Sequence, residues 1–148
     1  MAKFVFRLQS YLGVKEQLEE QKKNEYGNAI RRLEEEKEKL RMLEFELQEN
    51  VTLFKKALST SIAPVEIRRY NNRIEYLKVV IVEQKGRVQA AEQFVEEKRL
   101  ELVEAMKERK ALETVKERSY EEYLKEEQRA EQAVVDGIVS YQYAKTGG

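Results

Sequence analysis

An apolar residue returns at every seventh position along most of this chain. Stepping from Val5, the series runs Leu12, Glu19, Tyr26, Leu33, Leu40, Leu47 and Phe54, with one charged interruption. Stepping from Ile67, it runs Ile74, Ile81, Val88, Val95 and Leu102 with none. The positions three residues further on are mixed in the first series (Leu8, Lys15, Lys22, Ala29, Glu36, Leu43, Asn50, Ala57). In the second they are Tyr70, Leu77, Gln84, Ala91, Lys98 and Ala105. A strand would need apolar residues at alternate positions. A period of seven instead keeps a narrow stripe on one face of an α-helix, and two such stripes wind together as a left-handed coiled coil.

The two series are separated by one candidate turn, STSIAP at 59–64, which ends in the sole proline. Pro64 disfavours helix in the residue before it and suits the first turn of a helix that begins there. Ser61 is the expected N-cap, with Glu66 in the first turn. The expected fold is all-α: a single long antiparallel two-helix coiled-coil hairpin over residues 1–148. Helix one covers about 4–58, the turn 59–63 and helix two about 64–136, with a flexible tail at 144–148. A rise of about 1.5 Å per residue makes the helices roughly 80 Å and 110 Å long. Folding back near residue 61 sets Phe54 against Ile67 and Tyr70, Leu47 against Ile74, Leu33 against Val88, and Leu12 near Arg109 and Leu112. Helix two then overshoots the start of helix one by about fifteen residues.

Composition narrows the function. Charged residues make up 38% of the chain, against about a quarter in ordinary soluble proteins, which suits long helices with little core. There is no cysteine and no histidine, so thiolate chemistry, disulfides and the commonest general base and metal ligand are excluded. The carboxylates are spread over solvated faces, and no Gly-rich phosphate loop occurs. The expectation is a protein that is not an enzyme and uses no cofactor or metal. Basic and acidic residues balance at 28 each, which argues against a nucleic-acid partner. The longest apolar run, VVIV at 79–82, is far short of the roughly 20 residues that span a bilayer. The apolar opening, FVF before Arg7, is too short for a secretory signal. A cytosolic location without membrane insertion is expected.

Two stretches carry candidate partner contacts. In YLKVVIV, residues 76–82, the seam needs only Leu77 and Ile81, leaving Val79, Val80 and Val82 in surplus, with Met42 and Phe45 off the seam of helix one. A surplus apolar patch on a charged rod marks a partner contact, unless it serves a wider hairpin core or self-association. At the terminal end, Phe4, Phe6, Leu8 and Tyr11 from one helix meet Tyr120, Tyr123 and Leu124 from the other, beside Lys3, Arg7, Lys15 and Arg118. They form either a docking end or a local cluster that closes the coil. The seam there is also poorest, with Lys15, Glu19, Lys22, Lys98, Arg109 and Lys116 in it. A buried apolar side chain contributes about 1.5–3 kcal/mol gross, while ordering one residue's backbone costs about 1–2 kcal/mol. The terminal half is therefore expected to be looser until a partner holds it. The charge run RRLEEEKEKLR at 31–41 reads as a solvated helix face with i,i+4 pairs such as Glu35 and Lys39.

Residues 4–20, FVFRLQSYLGVKEQLEE, resemble the opening of the FliJ family of flagellar export proteins. Those chains commonly begin Phe-x-Phe-Arg-Leu-x-x-x-Leu, and here the pattern falls on Phe4, Phe6, Arg7, Leu8 and Leu12. Gly13 and Gly27, placed inside a helix, depart from a good coil-forming sequence. The resemblance implies a non-enzymatic part of the flagellar type III export apparatus, similar to the central shaft of rotary ATP synthases. It implies three partners: the hexameric export ATPase, the transmembrane export-gate protein and the export chaperones. Carried over by position, it assigns the ring-facing end to Phe4, Phe6, Arg7 and Leu8, which Tyr11 adjoins. It assigns the gate-facing surface to the region of Leu43, Leu77 and Val80, beside Met42, Phe45 and Val82 of the surplus patch. The implied place is the cytoplasmic face of the inner membrane at the flagellar basal body. Two other readings share the fold. One is the stalk of a virulence-type secretion system, which the Phe-x-Phe-Arg-Leu start disfavours. The other is a generic structural coiled coil that dimerises, which the single turn disfavours.

Overall fold

The computed structural model describes residues 3–147. It contains two α-helices, α1 (Gln9–Leu58) and α2 (Pro64–Thr146), which pack as an antiparallel hairpin. Two compact units are distinguishable. One is the segment Gln21–Val103; the other combines the residues up to Glu20 with those from Glu104 onward.

In Gln21–Val103 the buried and half-buried positions follow the heptad. Ile74, Leu77, Ile81, Gln84 and Ala91 of α2 are buried, with Leu77 at 1% exposure, and Ala29 of α1 is buried opposite them. Leu33, Leu40, Leu43, Leu47 and Phe54 are half-buried along the same face. The Phe54 and Tyr70 rings lie 5.3 Å apart, the pairing set by folding back at the turn. Further along, Gln84 Nε2 donates to the backbone oxygen of Glu36 at 2.9 Å and to its carboxylate at 2.5 Å. This one buried amide interrupts the apolar seam with its donors satisfied, the condition under which a buried polar residue specifies register.

The turn ends α1 by local chemistry. Ser59 Oγ donates to the carbonyl of Lys56 at 2.6 Å, and Thr60 Oγ1 to that of Ala57 at 3.0 Å, satisfying two of the carbonyls a helix end leaves open. Lys55 and Lys56 stand in the last turn, favourably placed for the helix dipole. The N-cap of α2 is not Ser61. With Pro64 as the first helical residue, that position falls on Ala63, whose carbonyl accepts from the amides of Glu66 and Ile67. Ser61 lies two residues too early.

The unit that holds both terminal segments corrects two boundaries. Helix one was expected from about residue 4, but α1 begins at Gln9, and residues 3–6 have no regular structure. The cause is the FVF triplet. On a helix Phe4 and Phe6 would point about 200° apart; in an extended segment they share one side. Phe6 is buried and Phe4 half-buried, while Val5 is 80% exposed. Val5 is therefore not a seam residue. At the other end α2 runs to Thr146, beyond the expected end near 136 and into the tail predicted at 144–148. Apart from Gly137, nothing in this stretch opposes a helix until Gly147. Gly148 lies outside the described residues.

Candidate partner-binding surfaces

The first surface belongs to the unit with the terminal segments. Leu12 is 2% exposed and anchors the start of α1. The Phe4 ring meets Tyr120 edge-on at 5.2 Å and Tyr123 at 5.4 Å, and those two tyrosines lie 6.2 Å apart. Tyr120 and Tyr123 come from adjacent turns of α2, so the three rings form one cluster. Each such ring pair is worth about 0.5–1.5 kcal/mol beyond its area. Of the sequence-derived residues, Phe6 is buried and Phe4 is engaged in the cluster, so both shape this end of the hairpin. Arg7, Leu8 and Tyr11 are exposed, Tyr11 at 51%. Phe6, Arg7, Leu8, Val115 and Ser119 outline a shallow depression beside them.

The seam charges Lys15, Glu19 and Arg109 of this unit are paired. Lys15 Nζ reaches Glu108 at 2.8 Å. Glu19, buried at 6% exposure, pairs with Arg109, which also holds Glu113 at 2.8 Å. The bond to Glu108 pushes the Lys15 pKa up, and the bonds to Glu19 and Glu113 do the same for Arg109. The Lys15 ammonium also lies 5.2 Å from the Tyr11 ring, which ties that exposed ring to the seam.

Sequence reasoning missed the end of α2. Every described residue from 128 onward is exposed, including Val134, Val135, Ile138, Val139, Tyr141 and Tyr143. The i,i+4 spacing of Val134 with Ile138 and of Val135 with Val139 was the available signal. It stood outside the heptad count and was absorbed into the overshoot.

The second surface belongs to Gln21–Val103. Met42 (64% exposed), Phe45 (71%) and Val82 (69%) are open to solvent, Val80 and Leu43 are half-buried, and Leu77 is a seam residue with no surface to offer. Val80 and Val82 do not share a face, because two residues on a helix separate by about 200°. Val80 lies toward the flank where Arg73 pairs with Glu46 across the helices. Met42, Leu43, Phe45 and Glu46 line a groove on that flank together with Lys39 and Gln84. Further from the turn, Lys22 pairs with Glu25 (3.3 Å) and Glu101 (3.4 Å), and Lys98 with Glu101 (3.1 Å) and Glu25 (3.5 Å). This four-membered network spans both helices where the seam loses its leucines. Its bonds hold the carboxyls of Glu25 and Glu101 below the usual glutamate range.

These features, a heptad hairpin with an aromatic Phe-x-Phe start, agree with the family comparison. The family model described as flagellar FliJ protein matches residues 4–148. The chain belongs to the FliJ family. FliJ proteins are components of type III export machinery and form a structural and escort family. Among solved structures, the chain is similar to a YscO homologue, CT670, from Chlamydia trachomatis. That likeness has a TM-score of 0.70 and 24% identity over 99% of this chain and 100% of the other; at that identity it shows a shared hairpin fold. A comparison with curated protein sequences found no significant match. Among the described residues, no helix is long and apolar enough to cross a membrane.

Proposed function

We propose that this FliJ protein is the non-enzymatic stalk of a flagellar type III export apparatus, working at the cytoplasmic face of the inner membrane. The end built on Phe4 and Phe6 docks in the ring of the export ATPase and promotes its assembly and activity. The surface that includes Met42, Phe45 and Val80 engages the transmembrane export gate, and the same chain escorts export chaperones. The observation that carries this reading is the terminal unit itself. Its irregular Phe-x-Phe segment is folded against Tyr120 and Tyr123, Arg7, Leu8 and Tyr11 are left exposed, and the end of α2 displays an uncovered apolar stripe. Such an end gains buried area only by entering a partner. No bond-making chemistry is asked of the chain; a hairpin transmits a state change between the bodies that hold it.

The test is ATP hydrolysis by the purified export ATPase with and without the full chain, with hexamer formation followed in parallel. Stimulation and more hexamer are expected. Arg7→Glu or Tyr11→Ala should reduce both while leaving helicity unchanged, since neither side chain is buried. Absence of binding and of stimulation by the wild-type chain would rule the reading out.

A further inference from the structure

The two flanks of the hairpin within Gln21–Val103 both mix charges with a few apolar residues, and the depressions of the surface set one of them apart. In an antiparallel pair, residues six places after each heptad step face one another along one flank, and residues four places after along the other. The first flank holds Leu53, Val80 and Phe94 among its charges, and the Arg73–Glu46 ion pair crosses it. The second holds Lys23, Lys37, Glu44, Lys78, Lys85, Glu92 and Arg99, with Ile30, Val51 and Leu58 as its apolar positions.

Depressions run along the first flank. One, of about 410 Å³, has a floor of Ala29, Ala90 and Ala91 and walls of Arg32, Arg87 and Phe94. The groove at Met42 and Phe45 continues it, because Gln84 lines that groove while its hydrogen-bond partner Glu36 lines the first. A third, toward the turn, lies at Asn50, Glu66, Arg69, Tyr70 and Arg73. The three alanines leave room for another backbone to come close, as small residues do in packed helices.

The charges say what kind of backbone. The carboxylates of the groove are engaged: Glu36 accepts from Gln84, Glu38 holds Arg41 at 2.7 Å, and Glu46 holds Arg73. The guanidiniums of Arg32 and Arg87 stand over the alanine floor with Glu36 as the one carboxylate in that lining. The geometry points to a third α-helix, supplied by a partner protein, lying along this flank to complete a three-helix coil. Its apolar stripe covers Met42, Phe45, Val80 and Phe94, and acidic residues beside that stripe meet Arg32 and Arg87. A second copy of this chain would bring an equally cationic groove to the same place, and like charges across an interface select against that pairing. This inference rests on the reading of the middle of the hairpin as a partner surface and adds the shape and charge of what binds there.

The test uses the full chain and two synthetic amphipathic helical peptides of about four heptads, identical in their Leu/Ala stripe, one flanked by Glu and the other by Lys. Fluorescence anisotropy should show the Glu-flanked peptide binding tighter by on the order of tenfold or more. The double variant Arg32→Glu, Arg87→Glu should reverse that preference, and Lys78→Glu with Lys85→Glu should leave it intact. Equal binding of both peptides, binding of neither, or equal sensitivity to the two double variants would overturn the inference. So would sedimentation showing a wild-type dimer that the Arg32→Glu, Arg87→Glu variant dissociates, which would assign the flank to a second copy. Stimulation of the export ATPase is measured separately, so failure here and failure of the stalk reading are distinguishable.

Discussion

Around Leu77 and around Glu19 the same heptad is filled with opposite chemistry. The first region buries Ile74, Leu77 and Ile81 with a single satisfied amide, Gln84, among them. The second puts Lys15, Glu19 and Arg109 where leucines would stand and pairs each across the helices. Apolar burial does not titrate and is not screened as charge pairs are. Paired charges near water are worth little net and are screened. One half of the chain is thus built to hold itself together. The other is held by ion pairs near water, and in the proposed function a partner reorders it.

The largest effect should come from the core of the first region. Leu77→Ala removes a side chain that is 1% exposed and should cost about 2–5 kcal/mol, read as a fall in the urea midpoint for loss of helicity. Phe6→Ala, although also at a buried position, should leave that midpoint nearly unchanged and speed local amide exchange near the start of α1, because the end opens without the rest. Similar midpoint losses in the two variants would erase the contrast between the regions.

Acid should act next, on the charged network at the end of the Gln21–Val103 region furthest from the turn. The carboxyls of Glu25 and Glu101 are held low by Lys22 and Lys98 respectively, so they contribute stability above the ordinary glutamate value of 4.5. That stability is lost as pH falls through their lowered folded values. Thermal melts followed at pH 7, 5 and 3 should fall mainly below 4.5. Glu25→Gln with Glu101→Gln should flatten that fall. An unchanged pH profile in the double variant would show that the network contributes nothing.

A smaller effect tests the helix itself. Gly27 lies inside α1 with open space where a Cβ would be placed, so Gly27→Ala should raise stability by about 0.5–1 kcal/mol. A loss of stability would show that the position serves a close approach to something else.

Much of the fold could be read from residue spacing, and the misses have physical causes. The period of seven located both helices and the pairing of Phe54 with Tyr70. It failed at Val5 because the chain changes there to a period of two, which the alternation Phe4, Val5, Phe6 already displayed. Ser61 failed as a cap because Pro64 itself fixes where the helix starts. For the surfaces, counting surplus apolar residues singled out Met42, Phe45 and Val80 as candidates and grouped Val82 with them, although a helix turns Val82 away from Val80. It also placed Leu77 on both seam and surface, where burial allows only the seam. The pairing of Lys15, Glu19, Lys22 and Lys98 was hidden because a list of charged seam residues does not say which face which; the antiparallel register does.

The division of the chain into a self-sufficient region and a partner-ordered end is tested most directly by hydrogen exchange resolved along the chain, with and without the export ATPase. Alone, amides in residues 70–95 should exchange more slowly than those in 5–25; with the ATPase, protection should rise in 5–25 and stay constant in 70–95. Slower exchange at 5–25 in the isolated chain, or new protection confined to 70–95, would contradict the account.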